Sequence, residues 1–429
     1  MSTSVDGLIS GMNTTQVIGQ LMQVEAQQQT GLKQKVQDQK TVLQSLQSVN
    51  SKVSALKSAA DKLILPMTWQ AAKAASTSDS VTATAKTGAP TGSWTFNVNA
   101  LATAQSSTAV VASTGSIMTD PTAGVQITVG GVTTQVDVAT DTAQGVVDAI
   151  NKKALGINAS LVTTQQGTVL QLASTKTGVD NAFSVGGINA AFTNINEAAN
   201  AEIGVGAVGA GGYTVQSPSN SFSNVIPDVT VNVSKVENGV TVATQNDSGS
   251  VADSVQAMIS AANSTLSEIG TQGQYATTDG SQQAGPLAAN FTITSMSGDI
   301  LSTVSGGMAN YGSFKQMGIE LTKDGQLTFD RDAFLAAYNA DPAKVQDAVA
   351  GGLAKSLSAF GDTANKNITS AIQNGNDNVR SLNDQISNWD VQLQLRQQAL
   401  QKQFSDMEVS LGQLRDQSNW LSGQIAKLG

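Results

Sequence analysis

The chain has no cysteine and no histidine. Ser-His-Asp and Cys-His catalysis are excluded as usually built, and so are Cys/His zinc sites and a disulfide framework. Aromatics are 4% of residues and lie singly, which argues against a base-stacking platform or a carbohydrate-stacking groove. Charged residues are sparse at 13%, and the net charge of −9 leaves no electrostatic footprint for nucleic acid. No run of about eighteen apolar residues exists, so no helix is expected to cross a membrane. Met1 to Gly11 lacks a basic region followed by an apolar core and does not read as a cleaved secretory signal. Ser, Thr, Gln, Asn, Ala, Gly and Val fill the chain instead, the composition of a secreted surface or fibre protein. Its 429 residues suffice for about two to four domains.

The clearest positive signal lies near the C-terminus. Steps of seven from Val379 fall on Ile386, Leu393, Leu400, Met407, Leu414, Leu421 and Leu428. Leu382 and Trp389 supply a second seam, and Phe404, Leu411 and Ile425 continue it displaced by one residue. A heptad repeat sustained this long is a coiled-coil signature and predicts a rod of about 75 Å. Asn374-Gly375-Asn376-Asp377 reads as a joint before it. Residues 14–65 mirror the rod. Thr14 or Thr15 caps a helix through Ile18, Leu21 and Met22, and a polar patch from Gln27 to Gly31 weakens it. Val42, Leu46, Val49, Val53, Leu56, Ala60 and Leu63 then alternate steps of four and three until Pro66. The plain reading is an antiparallel pair of terminal helices; the sharper one adds packing of the same seams against other subunits. The candidate contact residues are Ile18, Leu21, Val42, Leu46, Val49, Val53, Ile386, Leu393, Leu400, Phe404, Met407, Leu411, Leu414, Leu421 and Ile425.

Between the ends the period changes to two. Ser80–Lys86 and Ser93–Val98 read as strands around a Gly88-Ala89-Pro90 turn. Hairpins are expected at 125–138 about Gly130-Gly131, at 157–173 about Gln165-Gln166-Gly167, and from Val229, Val231 and Val233 through Asn238-Gly239 to Val240 and Val242. Thr142–Leu155 reads as a short helix, and 184–213 as loops around one short element. Helical spacing returns at Ser250–Ile269, Asn290–Met308, Asp330–Val349 and Leu353–Ile372, with a hairpin about Asp324-Gly325. The expected fold is α+β and multidomain. Residues 1–41 with 379–429 form a coiled-coil leg. Residues 42–70 with 281–378 form a helical stalk, 71–110 with 205–280 a β-rich head, and 111–204 a second β-rich domain inserted in it. The head is expected to begin and end near Trp69 and Pro286.

Carboxylate pairs are the only catalytic constellation left. Asp324 suits a turn, and Asp330 and Asp332 suit the start of a helix, so a glycosidase reading is weak and no cofactor or metal is expected.

Several motifs, in order, resemble one family. They are Gly7-Leu8-Ile9-Ser10-Gly11-Met12-Asn13, Ala74–Asp79, Gly92-Ser93-Trp94-Thr95 and Val98–Gln105. Ala149-Ile150-Asn151 through Gly156–Ser160 and Asn224–Thr230 follow, then Gly285-Pro286-Leu287, Gly318-Ile319, Asp324-Gly325, Phe329-Asp330, Gln403-Phe404 and Trp420-Leu421. The set is similar to the bacterial flagellar cap family, also called hook-associated protein 2. That family usually has Asp at Asn13 and more often Gly at Asp228. The resemblance implies a non-enzymatic ring, a homopentamer, at the distal filament tip. There it holds exported flagellin while the subunits fold and insert. Implied partners are flagellin, the hook–filament junction proteins and a cytoplasmic export chaperone on the C-terminal helix. Export by the flagellar type III route explains the missing signal. The alternatives are another axial junction protein, or a surface adhesin or carbohydrate-binding module whose head touches host glycans.

Overall fold

A computed structural model describes residues 11–206, 211–277, 280, 283–308 and 311–426. Gly7–Ser10 of the opening motif and Leu428 of the heptad lie outside the described residues. The chain divides into two compact units, Met1–Leu65 with Ala252–Gly429, and Pro66–Val251.

The first unit opens with α1 (Thr14–Glu25) and α2 (Gln27–Ile64). Asn13 caps α1, rather than Thr14 or Thr15: its Oδ1 accepts the Gln16 N–H at 2.9 Å. An aspartate there would accept the same bond. The helical run breaks for one residue at Ala26, just before the polar patch and not at Gly31. The patch itself is helical, and its Gln29 is buried and bonded to Asp390 and, one turn on, to Lys33.

The second unit carries α3 (Pro66–Trp69), β1 (Ala72–Ser76), β2 (Val81–Ala85), β3 (Gly92–Ala100) and β4 (Ser106–Val111). After these come β5 (Val125–Val129), β6 (Val132–Val136), α4 (Ala143–Lys153), β7 (Ile157–Thr164) and β8 (Gly167–Ser174). The remainder is β9 (Phe183–Gly186), β10 (Thr193–Asn196), β11 (Ala201–Val205), β12 (Tyr213–Ser217), β13 (Ser221–Ile226), β14 (Val229–Val233) and β15 (Glu237–Asn246). Two apolar cores organise them. A sheet ordered β1-β15-β3-β11-β12 and one ordered β13-β14-β2 enclose Phe96, Val98, Ile203, Phe222 and Val242. Sheets ordered β10-β4-β8-β7 and β6-β5-β9, with α4, enclose Ile127, Val146, Ile150, Leu170 and Leu172.

Several expectations change here. The strands flanking Gly88-Ala89-Pro90 enter different sheets, because β2 pairs with β14 and β3 with β15 and β11. Asn238-Gly239 is a bulge inside β15 and not a turn. The register against β3 shifts there, and the Gly239 N–H donates to Asn97 Oδ1 at 2.7 Å. The stretch 184–213 contributes β9 to β12 instead of loops around one element. The inserted domain starts earlier than residue 111, since Ala109 and Val111 of β4 line its core, and it ends before β11, whose Ala201 and Ile203 belong to the other core. The head closes at Asn246, which pairs with Ala72, and residues 252–277 belong to the helical unit, not the head.

Two motif positions gain a physical reason. The Asn151 side chain accepts from the Ala159 N–H and donates to its carbonyl at 2.8 and 2.9 Å, fixing the end of α4 to β7. Asp228 sits at φ 56 in the Pro227-Asp228 turn between β13 and β14, a backbone region that favours glycine.

The chain returns to the first unit through α5 (Ser248–Gly273) and α6 (Phe291–Ser305). A hairpin of β16 (Ile319–Leu321) and β17 (Leu327–Phe329) follows, with Asp324-Gly325 in its turn as expected. Then come α7 (Arg331–Ala340), α8 (Pro342–Gln346), a π-helical stretch Asp347–Ala354, and α9 (Lys355–Ile425). The 71 residues of α9 make a rod of about 105 Å. Asn263 of α5 clamps the Leu327 backbone at 2.7 and 2.8 Å and ties the hairpin down, while Thr265 Oγ1 donates to the Lys52 carbonyl on α2 at 3.1 Å. Asn374–Asp377 forms no joint: α9 runs through it. Gly375 is there for close approach, because a Cβ would meet Leu43 Cδ2 at 2.6 Å. Gly361 does the same against Lys57, whose Cβ would lie 2.7 Å away.

These contacts predict opposite outcomes for two glycines in helices. Gly298 on α6 has nothing within 4 Å, so Gly298→Ala should stabilise by roughly 0.5–1 kcal/mol through helix propensity. Gly361→Ala gains the same propensity but crowds α2 against α9 at an overpacking cost of about 1–3 kcal/mol, so it should lose up to about 2 kcal/mol net. Denaturant melts of the two variants, read in parallel, check the contrast.

Candidate functional site

The terminal helices are built as a register of short-range contacts. Ser358 Oγ donates to Asp61, Lys57 lies 3.6 Å from Asp362, and Ser54 Oγ donates to Asn365 at 3.1 Å. Farther along, Gly375 faces Leu43, Gln29 donates to Asp390, and Arg396 pairs with Glu25 at 3.5 Å. As residue numbers fall on α2 they rise on α9, so the pair is antiparallel.

From Gln29 back to Glu25 is four residues on one side, while from Asp390 to Arg396 is six on the other, a difference of about 3 Å that the long Arg396 and Glu25 side chains span. The helical run breaks between these contacts at Ala26.

The candidate residues sort along this register. Leu46, Val49 and Val53 are buried and Val42 is half-buried. Ile18 and Leu400 are buried where α1 meets α9, with Ile386, Leu393, Phe404, Met407 and Leu411 half-buried. Leu21 points outward at 44% exposure. Leu414, Leu421 and Ile425 are 61%, 56% and 65% exposed, so the far seam has no cover among the described residues. Trp420 is exposed beside them. The sequence reading missed Val17 and Val24, which with Leu21 form an outward stripe on α1 at steps of four and three. That spacing was available to find them. It also missed Gly361 and Gly375, for which a heptad count offers no signal.

Electrostatics at the register are local. Lys57 donates to Asp61 at 2.6 Å, and with the Ser358 hydroxyl it holds the Asp61 carboxyl below the usual carboxylate range. The Asp330 carboxylate accepts the Asp332 and Ala333 N–H groups at 3.0 Å, capping α7 as expected. Among the described residues no cluster of acidic side chains is arranged to hold a metal ion, and no helix is long and apolar enough to cross a membrane.

Long paired terminal helices, with a seam that has no cover among the described residues, and β-rich domains are the architecture of a filament-assembly protein and not of an enzyme built around a pocket. The family profile described as the flagellar hook-associated protein 2 C-terminus matches residues 198–416, and that of its N-terminus matches residues 10–105. A lateral flagellar hook-associated protein 2 from Vibrio parahaemolyticus is 26% identical, over 78% of this chain and 81% of the relative. A B-type flagellar hook-associated protein 2 from Pseudomonas aeruginosa is 27% identical, over 88% and 87%. In fold, the chain is similar to the D1-D2-D3 domains of the Escherichia coli flagellar cap protein FliD. The TM-score is 0.57 at 21% identity, covering 77% of this chain and 99% of that one. The chain belongs to the flagellar hook-associated protein 2 family.

The Asp61 cluster gives the helical unit a pH dependence. Because the folded carboxyl titrates lower than the unfolded one, its contribution is present above the ordinary aspartate range and is lost as pH falls through the folded value. Asp61→Asn should therefore lower the melting temperature at neutral pH and flatten its decline at acid pH. An unchanged acid limb in thermal melts across pH would count against the cluster.

Proposed function

We propose that this chain caps the distal end of a bacterial flagellar filament as a homopentameric ring. In this reading it retains exported flagellin and promotes its folding and insertion without any enzymatic step. The observation that carries it is the terminal helix pair, in a chain of this family, whose apolar seam on α9 continues past the described end of α1 through the exposed Leu414, Leu421 and Ile425. A leg of that kind gains its remaining stability only on docking, since amphipathic helices draw most of theirs from packing. The tip of the flagellum is the location this implies, with delivery by the flagellar type III route. Flagellin and the junction proteins are the axial partners. A cytoplasmic export chaperone would cover Leu414, Leu421 and Ile425 before secretion. Host glycan binding by the β-rich unit has no comparable support: its exposed Tyr213 stands alone on an edge strand.

The test is complementation in a flagellated host lacking its own cap protein, scored by electron microscopy of filament length. The full chain should restore filaments. Deletion of residues 390–429 should abolish growth while the β-rich unit keeps its near-ultraviolet circular dichroism. Normal filaments from the truncated chain would refute the leg role.

A further inference from the structure

The sequence holds two Asn-Gly pairs, Asn238-Gly239 and Asn374-Gly375. This dipeptide carries its own chemistry. The glycine amide nitrogen can attack the asparagine side-chain carbonyl and close a succinimide ring, and the missing Cβ of glycine leaves that approach open. The step needs an asparagine side chain without a partner, a backbone that can rotate, and an amide N–H that is not held as a donor. The two pairs differ on these points.

Asn374-Gly375 lies inside α9. Gly375 is buried against Leu43, and its N–H belongs to a continuous helical ladder. The rotation that ring closure requires would break α9 where it packs on α2. The pair is shielded for as long as the helices stay folded.

Asn238-Gly239 lies where β15 leaves its ladder. Glu237 pairs with Val98 and Val240 with Phe96, so three steps on β15 answer two on β3, and residues 238 and 239 form the bulge. On the other side of β15, pairing with β1 reaches only to Val242. Asn238 and Gly239 are both exposed, and Gly239 sits at φ 69. Among the described residues none hydrogen-bonds the Asn238 side chain. The nitrogen that would attack is restrained from β3 instead: the Gly239 N–H donates to Asn97 Oδ1 at 2.7 Å.

We propose that Asn238 is a site of spontaneous covalent modification in the folded protein, and that Asn97 sets its rate by holding the Gly239 N–H. In the step, the Gly239 nitrogen loses its proton and bonds to Asn238 Cγ. The Cγ–Nδ2 bond breaks, and Nδ2 leaves with that proton as ammonia. Water then opens the succinimide at either carbonyl, giving aspartate or isoaspartate. No oxidant or second protein is needed.

Either product places a new carboxylate beside Glu237, whose own carboxylate accepts the Ser78 and Ser80 hydroxyls at 2.6 and 2.5 Å. Isoaspartate also lengthens the main chain of the bulge, just ahead of Val240 and Val242 in the buried core. The site therefore acts as an age mark on a strand that the head depends on, whether or not the chain caps a filament.

The test follows full-length protein at mildly alkaline pH, with peptide mass spectrometry and an isoaspartate assay as readouts. In the folded chain Asn238 should convert ahead of Asn374, while in urea the two should convert alike. Asn97→Ala should raise the folded rate at Asn238 by about three- to tenfold, the kinetic equivalent of one net hydrogen bond. Asn97→Asp keeps an acceptor and should convert at or below the original rate. Circular dichroism verifies that both variants are folded. Earlier conversion at Asn374 in the folded chain, or no conversion at Asn238 in folded Asn97→Ala protein, would overturn the site. Equal rates with and without Asn97→Ala, or the same rise in both variants, would overturn the role given to Asn97.

Discussion

The antiparallel contact between α2 and α9 is the constraint on which the helical unit depends. Neither helix is anchored by strong local signals: both start from helical residues with no side-chain cap. Their stability comes from a buried stripe, Val49, Val53, Leu56, Ala60 and Leu63 on one side and Leu357, Ala364 and Ile368 on the other. At about 25 cal/mol per Å² of apolar surface, each of the Val, Leu and Ile side chains stabilises by roughly 1.5–3 kcal/mol when fully buried, and each Ala methyl by less than about 1 kcal/mol. Gly361 lets the α9 backbone approach Lys57 of α2, Gly375 leaves room for the Leu43 side chain, and the Asp61 and Asn365 contacts set which residues face one another. The hairpin and α5 are then fastened to this pair by Asn263 and Thr265.

What could be read from the sequence follows from how local each signal is. Seams at steps of three and four gave both terminal helices, because periodicity needs no knowledge of the partner. The Asp324-Gly325 turn and the Asp330 cap were readable for the same reason. Sheet membership was not. Asn238-Gly239 has the chemistry of a hairpin turn, yet β14 and β15 belong to different sheets, and the dipeptide resolves a mismatch against β3. The Gly-rich stretch near 184–213 forms strands because its neighbours supply the ladder, a non-local fact. Among the contact residues, the buried half of the seam was legible and the outward α1 stripe was overlooked beside the stronger Ile18 signal. The close-approach glycines depend on a facing side chain, which periodicity does not encode.

The one-residue displacement in the α9 heptads falls between Trp389 and Phe404, on the stretch of α9 that faces the break in the N-terminal helices. Here α9 stays unbroken, and the N-terminal helical run is interrupted at Ala26. Gln29 lies beside the break, buried and bonded to Asp390, so a polar contact replaces the apolar seam at that point.

A second irregularity shows the opposite solution. Val345, Val349, Leu353 and Leu357 are all buried at uniform steps of four. An α-helix would rotate such a stripe steadily away from the core, since four residues exceed the 3.6 of one turn. The Asp347–Ala354 stretch is π-helical, with more residues to each turn, and the stripe stays on one face. Gly352 sits in it against Met308, whose Sδ lies 2.8 Å from where a Cβ would be. One long helix therefore keeps its apolar face through two departures from the heptad. Upstream, where the bundle surrounds it, it adjusts its own winding. Downstream, where it has a single partner, the partner breaks instead. Beyond the start of α1 no described element covers the seam, which keeps helical steps of three, seven and four through Leu411, Leu414, Leu421 and Ile425.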